Sequence, residues 1–423
     1  MKIKVRKIRG NEFSNKLCPC GSGKVYEKCC KKKKIKYEIH EDGYVKKIPM
    51  TDGVVGIIKE EEKLFKEYYN RVPDGNDFLF SFAPSFNDEI LLKLIYTMRK
   101  SGIPEGKIYA VYKTDGLMPS KYNIDYISDE EIKEYKGFQD EYLKLMSEPD
   151  NKNINSLKFV VKSNSFLSGE IDYIFNALIA TCNDFIHRHT NSQEALSFVT
   201  KDSLDFCVFS VLKTIKTLQS IEKLQKNHLP ECIYSLGRSF FENYMYMCAI
   251  NSDSEFFNQK LLPIIDDEKY NLIIEPNGKI SRKKAVEKSS GKEIDIKVII
   301  AQMKKYLNPK TDALLYEEFY QDVCKYVHVD ILSAKQYYSV IDIYDQIDPT
   351  LVATVSVLSI ALMLLNKISE CELVDAQYQS DFKFLSNKLL GKLLDCLQII
   401  DSDPLHEIPL VKTLKKCLTE ADE

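Results

Sequence analysis

Four cysteines fall within thirteen residues, at Cys18, Cys20, Cys29 and Cys30. Thiolate sulfur is a soft ligand, and four of them complete the tetrahedral shell that zinc takes in a closed structural site. Pro19 stiffens the first pair, while Gly21 and Gly23 permit a sharp turn where a Cβ would crowd the metal. Backbone amides in such a turn donate to the sulfurs and offset the charge of four thiolates. A segment this short buries too little apolar surface to fold by itself. Bound Zn2+ is expected to supply most of its folding free energy, about 10 kcal/mol for comparable small sites. A catalytic zinc would keep an open position for water, which four sulfurs do not leave. The adjacent Cys29 and Cys30 are unlike the usual spacing of iron–sulfur ligands.

The surroundings of this cluster are basic. Lys24 and Lys28 lie inside it, and Lys31, Lys32, Lys33 and Lys34 follow it directly. Residues 1–38 carry thirteen Lys or Arg against three Glu, a balance of +10 in a chain whose formal net charge is −3. Four thiolates and one zinc ion reduce that local figure to about +8. A clustered basic head on a mildly acidic body steers docking onto anionic surfaces. These six lysines are therefore the candidate contacts to a nucleic acid or protein partner.

Three further groups of ionisable residues stand out. Arg238 and Glu242 lie four apart on an otherwise apolar helical segment, where they share a face. They read either as a structural ion pair or as part of a polar pocket. His328, in the segment CKYVHVD, is either a partly buried histidine near a helix end or a catalytic or RNA-contacting residue. His187, Arg188 and His189 end an amphipathic segment and read as a solvated helix terminus. The remaining eight cysteines, scattered from Cys182 to Cys417, read as small core hydrophobes in a reducing compartment.

Many familiar chemistries have no signature here. The chain lacks a GxxxxGK[ST] phosphate loop, an HExxH zinc helix, a GxSxG elbow and a dinucleotide-binding glycine fingerprint. No spacing marks two acids as a glycosidase pair.

The elements that must position these residues are mostly helices. With 423 residues, 44% hydrophobic and 29% charged, the chain is long enough for two or three domains. Residues 1–10 alternate apolar and basic residues as in a short strand or arm, and 35–57 predict a hairpin or extended connector. Helical periodicity covers 59–71, 87–100 and 129–146, with 108–113 open between helix and strand. Residues 147–170 are mixed and polar and are taken as the main boundary. Beyond it, helices are predicted over about 170–186, 194–225, 230–250, 294–307, 311–328, 333–341, 350–370 and 378–400. An excursion or flexible insert falls at 251–293. The expectation is thus a mainly α protein: a small zinc-binding module (1–35), a small mixed but mostly helical domain (36–150) with a minor β or α/β connector, and a large helical bundle (151–423). No apolar stretch and cleavage site follow the basic Met1–Gly10, and the longest apolar run, Leu351–Leu365, is shorter than the ~20 residues of a membrane span. A cytoplasmic, membrane-free protein is expected.

Residues 10–30, GNEFSNKLCPCGSGKVYEKCC, closely resemble the SEC-C motif. That motif is the zinc-binding tail of the bacterial preprotein-translocase ATPase and an accessory module on many bacterial proteins. The resemblance implies a bacterial setting and contacts to protein partners or ribosomes. In the translocase the last ligand is often His; here it is Cys30, and the motif is N-terminal rather than a tail. Over roughly residues 170–365 the body resembles a broad bacterial family of uncharacterised helical domains (the DUF5677 type), in SLGRSFFENYMYM and KYVHVDILS. It is distantly similar to the HEPN nucleases, helical bundles that are often dimeric and tied to toxin–antitoxin and phage-defence systems. That similarity implies a homodimer through the bundle and a metal-independent RNase centre. His328 would shuttle the 2′-OH proton, Arg238 would steady the phosphorane oxygens, and Glu242 would orient the arginine. The sequence departs from the HEPN pattern, in which the arginine shares a helix with the histidine, because Asp322, Val323 and Cys324 precede His328. The leading expectation is therefore a zinc-headed adaptor docking on a ribosome, RNA or protein partner, with an RNase effector as the alternative.

Overall fold

The computed structural model describes residues 16–20, 22–33, 35–40, 43–47, 52–73, 87–121, 123–147, 156–190, 201–327, 343–403 and 408–420. The expected N-terminal arm, the 333–341 helix and His328 itself lie outside them. The protein is mainly α, and it divides into two compact units, 1–153 and 154–423.

In the first unit the cysteine cluster is followed by an antiparallel hairpin, β1 (Lys36–His40) and β2 (Gly43–Lys47), in register from Lys36 opposite Lys47 to His40 opposite Gly43. Four helices follow: α1 (Asp52–Tyr69), α2 (Asn87–Lys100), α3 (Glu105–Lys113) and α4 (Asp129–Ser147). The 108–113 segment is thus helical. Pro104 opens α3, with a φ already suited to the turn before a helix. A capping box starts α4. The Ser128 N–H donates to Glu131 Oε2 at 2.7 Å, and the Glu131 N–H donates to Ser128 Oγ at 3.2 Å. Asp129, Glu130 and Glu131 add negative charge where the helix dipole favours it.

In the second unit the long helices are α5 (Ser156–His189), α6 (Ser203–Lys226), α7 (Pro230–Ser252), α8 (Pro349–Ser369), α9 (Ala376–Asp401) and α10 (Pro409–Thr419). Helix α5 begins well before residue 170, so the polar stretch 156–170 is the first half of a helix rather than a connector. Its Leu157, Val160 and Leu167 are buried at helical spacing. Helix α8 is buried all round and packs chiefly along α7. It is long and apolar enough to cross a membrane, yet most of it lies inside the protein core. Its hydroxyls are satisfied internally: Thr354, Ser356 and Ser359 each donate to the carbonyl four residues back, at 2.7 to 2.9 Å. Gly237 lets α7 approach α8, since a Cβ there would sit 2.6 Å from Val357 Cγ2 and 3.0 Å from Phe319 Cζ.

Two expectations for this unit change. The 251–293 insert is ordered. It holds a π-turn (Phe257–Leu261) and most of a three-stranded antiparallel sheet, β3 (Tyr270–Ile274), β4 (Ile280–Glu287) and β5 (Glu293–Asp295), in the order β3-β4-β5. The helix expected over 294–307 is only a 3-10 turn at Ile300–Tyr306: Glu293–Asp295 pairs with β4, and residues 296–299 are neither helix nor strand. The His187–Arg188–His189 end is solvated at His187 and Arg188, as expected, and it is also engaged by its neighbours. Arg188 lies 3.0 Å from both Asp184 and Asp381 and 3.5 Å from Asp375. His189 pairs through Nδ1 with the Phe185 carbonyl and accepts from the Asp375 N–H at 2.9 Å. Arg188 and His189 clasp α5 to the start of α9.

Candidate metal centre

Two short stretches meet to form the cysteine cluster. Leu17 bridges Val25, the Cys18 N–H donates to the Lys24 carbonyl at 2.7 Å, and the Tyr26 N–H donates to the Lys16 carbonyl at 3.1 Å. The tip between them turns through Gly23, whose φ of +70° suits glycine. A 3-10 turn, Tyr26–Lys28, then presents Cys29 and Cys30. The carbonyl of Cys30 accepts from the N–H groups of Lys33 and Ile35, which folds the chain back beneath the thiols.

All four Sγ atoms lie within 4.8 Å of one another. Cys20 and Cys29 are 3.6 Å apart, and Cys29 and Cys30 are 4.0 Å apart. A tetrahedron with Zn–S bonds of about 2.3 Å has sulfur–sulfur edges of about 3.8 Å. The donor set and its spacing therefore fit zinc, held by Cys18, Cys20, Cys29 and Cys30. When bound, the ion supplies a rigid charged anchor. Four sulfurs fill the shell, so the centre is structural in kind.

The surroundings tune the thiols unequally. Burial opposes ionisation of Cys20. Hydrogen bonds from the Ser22 hydroxyl and backbone N–H, and from neighbouring thiols, outweigh it and bring Cys20 down to about 7. Burial raises Cys29, against a donated bond from Ser22 Oγ at 3.3 Å. Burial also pushes Cys30 up strongly, although the Tyr37 hydroxyl lies 3.4 Å from its sulfur. Tyr26 completes the support by donating to the Ile35 carbonyl at 2.6 Å and packing edge-on against Tyr37. Ser22 and Tyr37 were not anticipated as partners of the sulfurs. Ser22 was visible beside the ligands, but Tyr37 arrives from β1, beyond the basic run.

The lysines divide. Lys33 is half-buried, 2.7 Å from both Asp129 Oδ1 and the Ile127 carbonyl. That contact lowers the Asp129 carboxyl below its usual range. Lys24 lies 3.9 Å from Glu130, and Lys31 pairs with Glu27 at 2.8 Å. Three of the expected contact lysines thus ion-pair inside the first unit, two of them at the acidic start of α4, and Lys24 and Lys31 stay exposed. Lys28 and Lys32 flank the Cys29–Cys30 pair in exposed positions, and Lys34 lies outside the described residues.

Residues 15–32 match the SEC-C motif. The match is confined to this head and coincides with the four converging thiols. No curated protein and no solved structure matches the chain.

The other candidate residues are in the second unit. Arg238 Nε donates to Glu242 Oε1 at 2.8 Å, and the Tyr320 hydroxyl donates to the same oxygen at 3.0 Å. The Arg238 guanidinium also lies over the Tyr320 ring, 5.4 Å from its centroid. A π-turn, Tyr316–Tyr320, delivers Tyr320 to this cluster. The residues just before His328 line a cleft of about 450 Å³ that contains Tyr234, Tyr326 and Lys325 with Glu317, Glu318 and Asp322. Three carboxylates and one lysine make a poor seat for a phosphate chain.

Proposed function

We propose that the chain is a zinc-ordered docking protein, whose basic head engages an anionic surface on a ribosome, an RNA or a protein partner while the helical body acts as sensor or scaffold. The reading is carried by one observation: the four thiols converge, and Lys28 and Lys32, next to them in the chain, are exposed. Fixed cations dock better than cations on a floppy tail, because less side-chain and backbone freedom is lost on binding. Lys33 is tied to Asp129, so partner contact falls chiefly to the exposed Lys24, Lys28, Lys31 and Lys32.

Co-sedimentation with purified ribosomes and filter binding to ribosomal RNA, across a salt series, test this. Zinc-loaded protein should bind with an affinity that falls as salt rises. The double variant Lys28→Glu with Lys32→Glu should bind at least about tenfold more weakly. Binding to ribosome or RNA that ignores both salt and these variants would refute the reading.

The ribonuclease alternative ranks second, because Arg238 is held by Glu242 and Tyr320 rather than presented to a phosphate. RNA cleavage in the presence of a chelator, lost in His328→Ala, would promote it.

A further inference from the structure

The sheet of the second unit carries a second basic surface. Strand β4 and its two flanking turns, residues 279–292, hold six Lys or Arg against one Glu. All six cations are exposed. Lys284 pairs with Glu293, and Lys288 donates to the Asp267 carbonyl at 2.7 Å. Lys279, Arg282, Lys283 and Lys292 form no ion pair among the described residues. Like charges gathered on one short strand repel, and a bound polyanion relieves that repulsion.

The register arranges these charges. Strand β5 runs beside Lys284–Val286, and the Ile296 N–H donates to the Lys283 carbonyl at 2.9 Å. From Arg282 outward, β4 pairs with β3 alone, so the sheet ends as a two-stranded ribbon. Glu293 and Asp295 flank its other end. By the two-residue period of a strand, Ile280, Arg282 and Lys284 share one face and Ser281 and Ala285 the other. Ser281 and Ala285 are buried, so the first face is turned to solvent. Ile274 lies opposite Ile280, and these two are 70% and 61% exposed. The turn joining them is fixed in shape. The Glu275 N–H donates to the Lys279 carbonyl and the Gly278 N–H to the Glu275 carbonyl, both at 2.8 Å, and Gly278 takes a φ of +77°.

We propose that this ribbon is a second docking surface whose partner is double-stranded DNA, with Lys279, Arg282 and Lys283 on the phosphates and Ile274 and Ile280 against base edges in the major groove.

Shape and chemistry select that partner. The major groove of B-form DNA is about 12 Å wide and admits a two-stranded ribbon, whereas that of A-form RNA is too narrow. Isoleucine side chains suit the thymine methyl and offer no hydrogen bond that would fix a sequence. Binding is therefore sequence-tolerant and driven by release of counterions from the phosphates. Two isoleucines are too little apolar surface for a membrane, where a surface element needs a whole apolar face. The backbone-fixed turn holds the tip in place, so little chain freedom is lost on docking. None of this draws on the zinc head.

The test is fluorescence anisotropy of a short labelled DNA duplex with the intact zinc-loaded protein, across a salt series. Binding should weaken as salt rises and persist in the head variant Lys28→Glu with Lys32→Glu. The ribbon variant Arg282→Glu with Lys283→Glu should bind at least about tenfold more weakly, with a log–log salt slope shallower by about two. Should that variant lose helical circular dichroism, the milder Lys279→Ala with Arg282→Ala, at two exposed positions, replaces it and should also weaken binding. Duplex RNA of the same length should bind at least about tenfold more weakly than DNA. No binding of the DNA duplex, or binding that the ribbon variants leave unchanged, overturns the proposal. So does duplex RNA bound as tightly as DNA, or capture of anionic phospholipid vesicles or polyglutamate in place of DNA.

Discussion

Single atoms decide the behaviour of the metal centre. The thiols are not equivalent: Cys20 is drawn down to about 7 by Ser22, whereas burial holds Cys29 and Cys30 up. Metal loading must displace the protons of the raised thiols, so affinity for zinc should fall as pH drops, with proton release measurable by calorimetry in two buffers of different ionisation enthalpy. Ser22→Ala removes a donor from the sulfurs and should weaken zinc binding about tenfold, read by competition with a chromophoric chelator. The ligands were legible in the sequence, because C-x-C and C-C spacings on a glycine-bearing turn admit few other uses. Tyr37 was not legible: its role depends on Cys30 accepting from Ile35 and turning β1 back toward the sulfurs.

Helices and their contacts explain most of what the sequence missed. The partners of Arg188 and His189 were not legible, because Asp375 and Asp381 lie almost two hundred residues away. The sheet at 270–295 was hidden because short strands with exposed Lys and Glu mimic a polar insert. Gly237 sat unremarked within a helical pattern, yet α7 meets α8 there. Gly237→Ala should destabilise the second unit by about 1–3 kcal/mol through overpacking, measured by urea unfolding. The N-terminus of α8 offers a pH test. Asp348 accepts from the Thr350 N–H at 2.8 Å and lies 3.3 Å from His228 Nδ1, while its own N–H donates to Asn164. Burial alone would raise its carboxyl, but His228 and the capping bonds hold it below the usual range. A depressed folded pKa gives stability that is complete above the unfolded value of about 3.9 and is lost as pH falls through the folded value. Asp348→Ala should therefore cost about 1–3 kcal/mol near neutral pH, and the gap from the unaltered protein should narrow in acid.

Across the whole molecule, sequence and structure agree on a mainly α protein carrying a cysteine-rich head that matches the SEC-C motif. The head and the second unit are stabilised by different means. The second unit has an extensive apolar core around α8, whereas among the described residues the core around the four cysteines is Ile35 and a few aromatic contacts. Chelation should thus disorder the head while leaving most of the helical circular dichroism intact, and a protein that loses its helices on chelation would contradict this division. The account stands on the head holding one zinc through sulfur alone. Elemental analysis with zinc-edge X-ray absorption on the purified protein measures that directly. One zinc per chain with four sulfur neighbours at about 2.3 Å is the predicted result. Zinc well below one per chain after loading, or nitrogen or oxygen in its first shell, would contradict it.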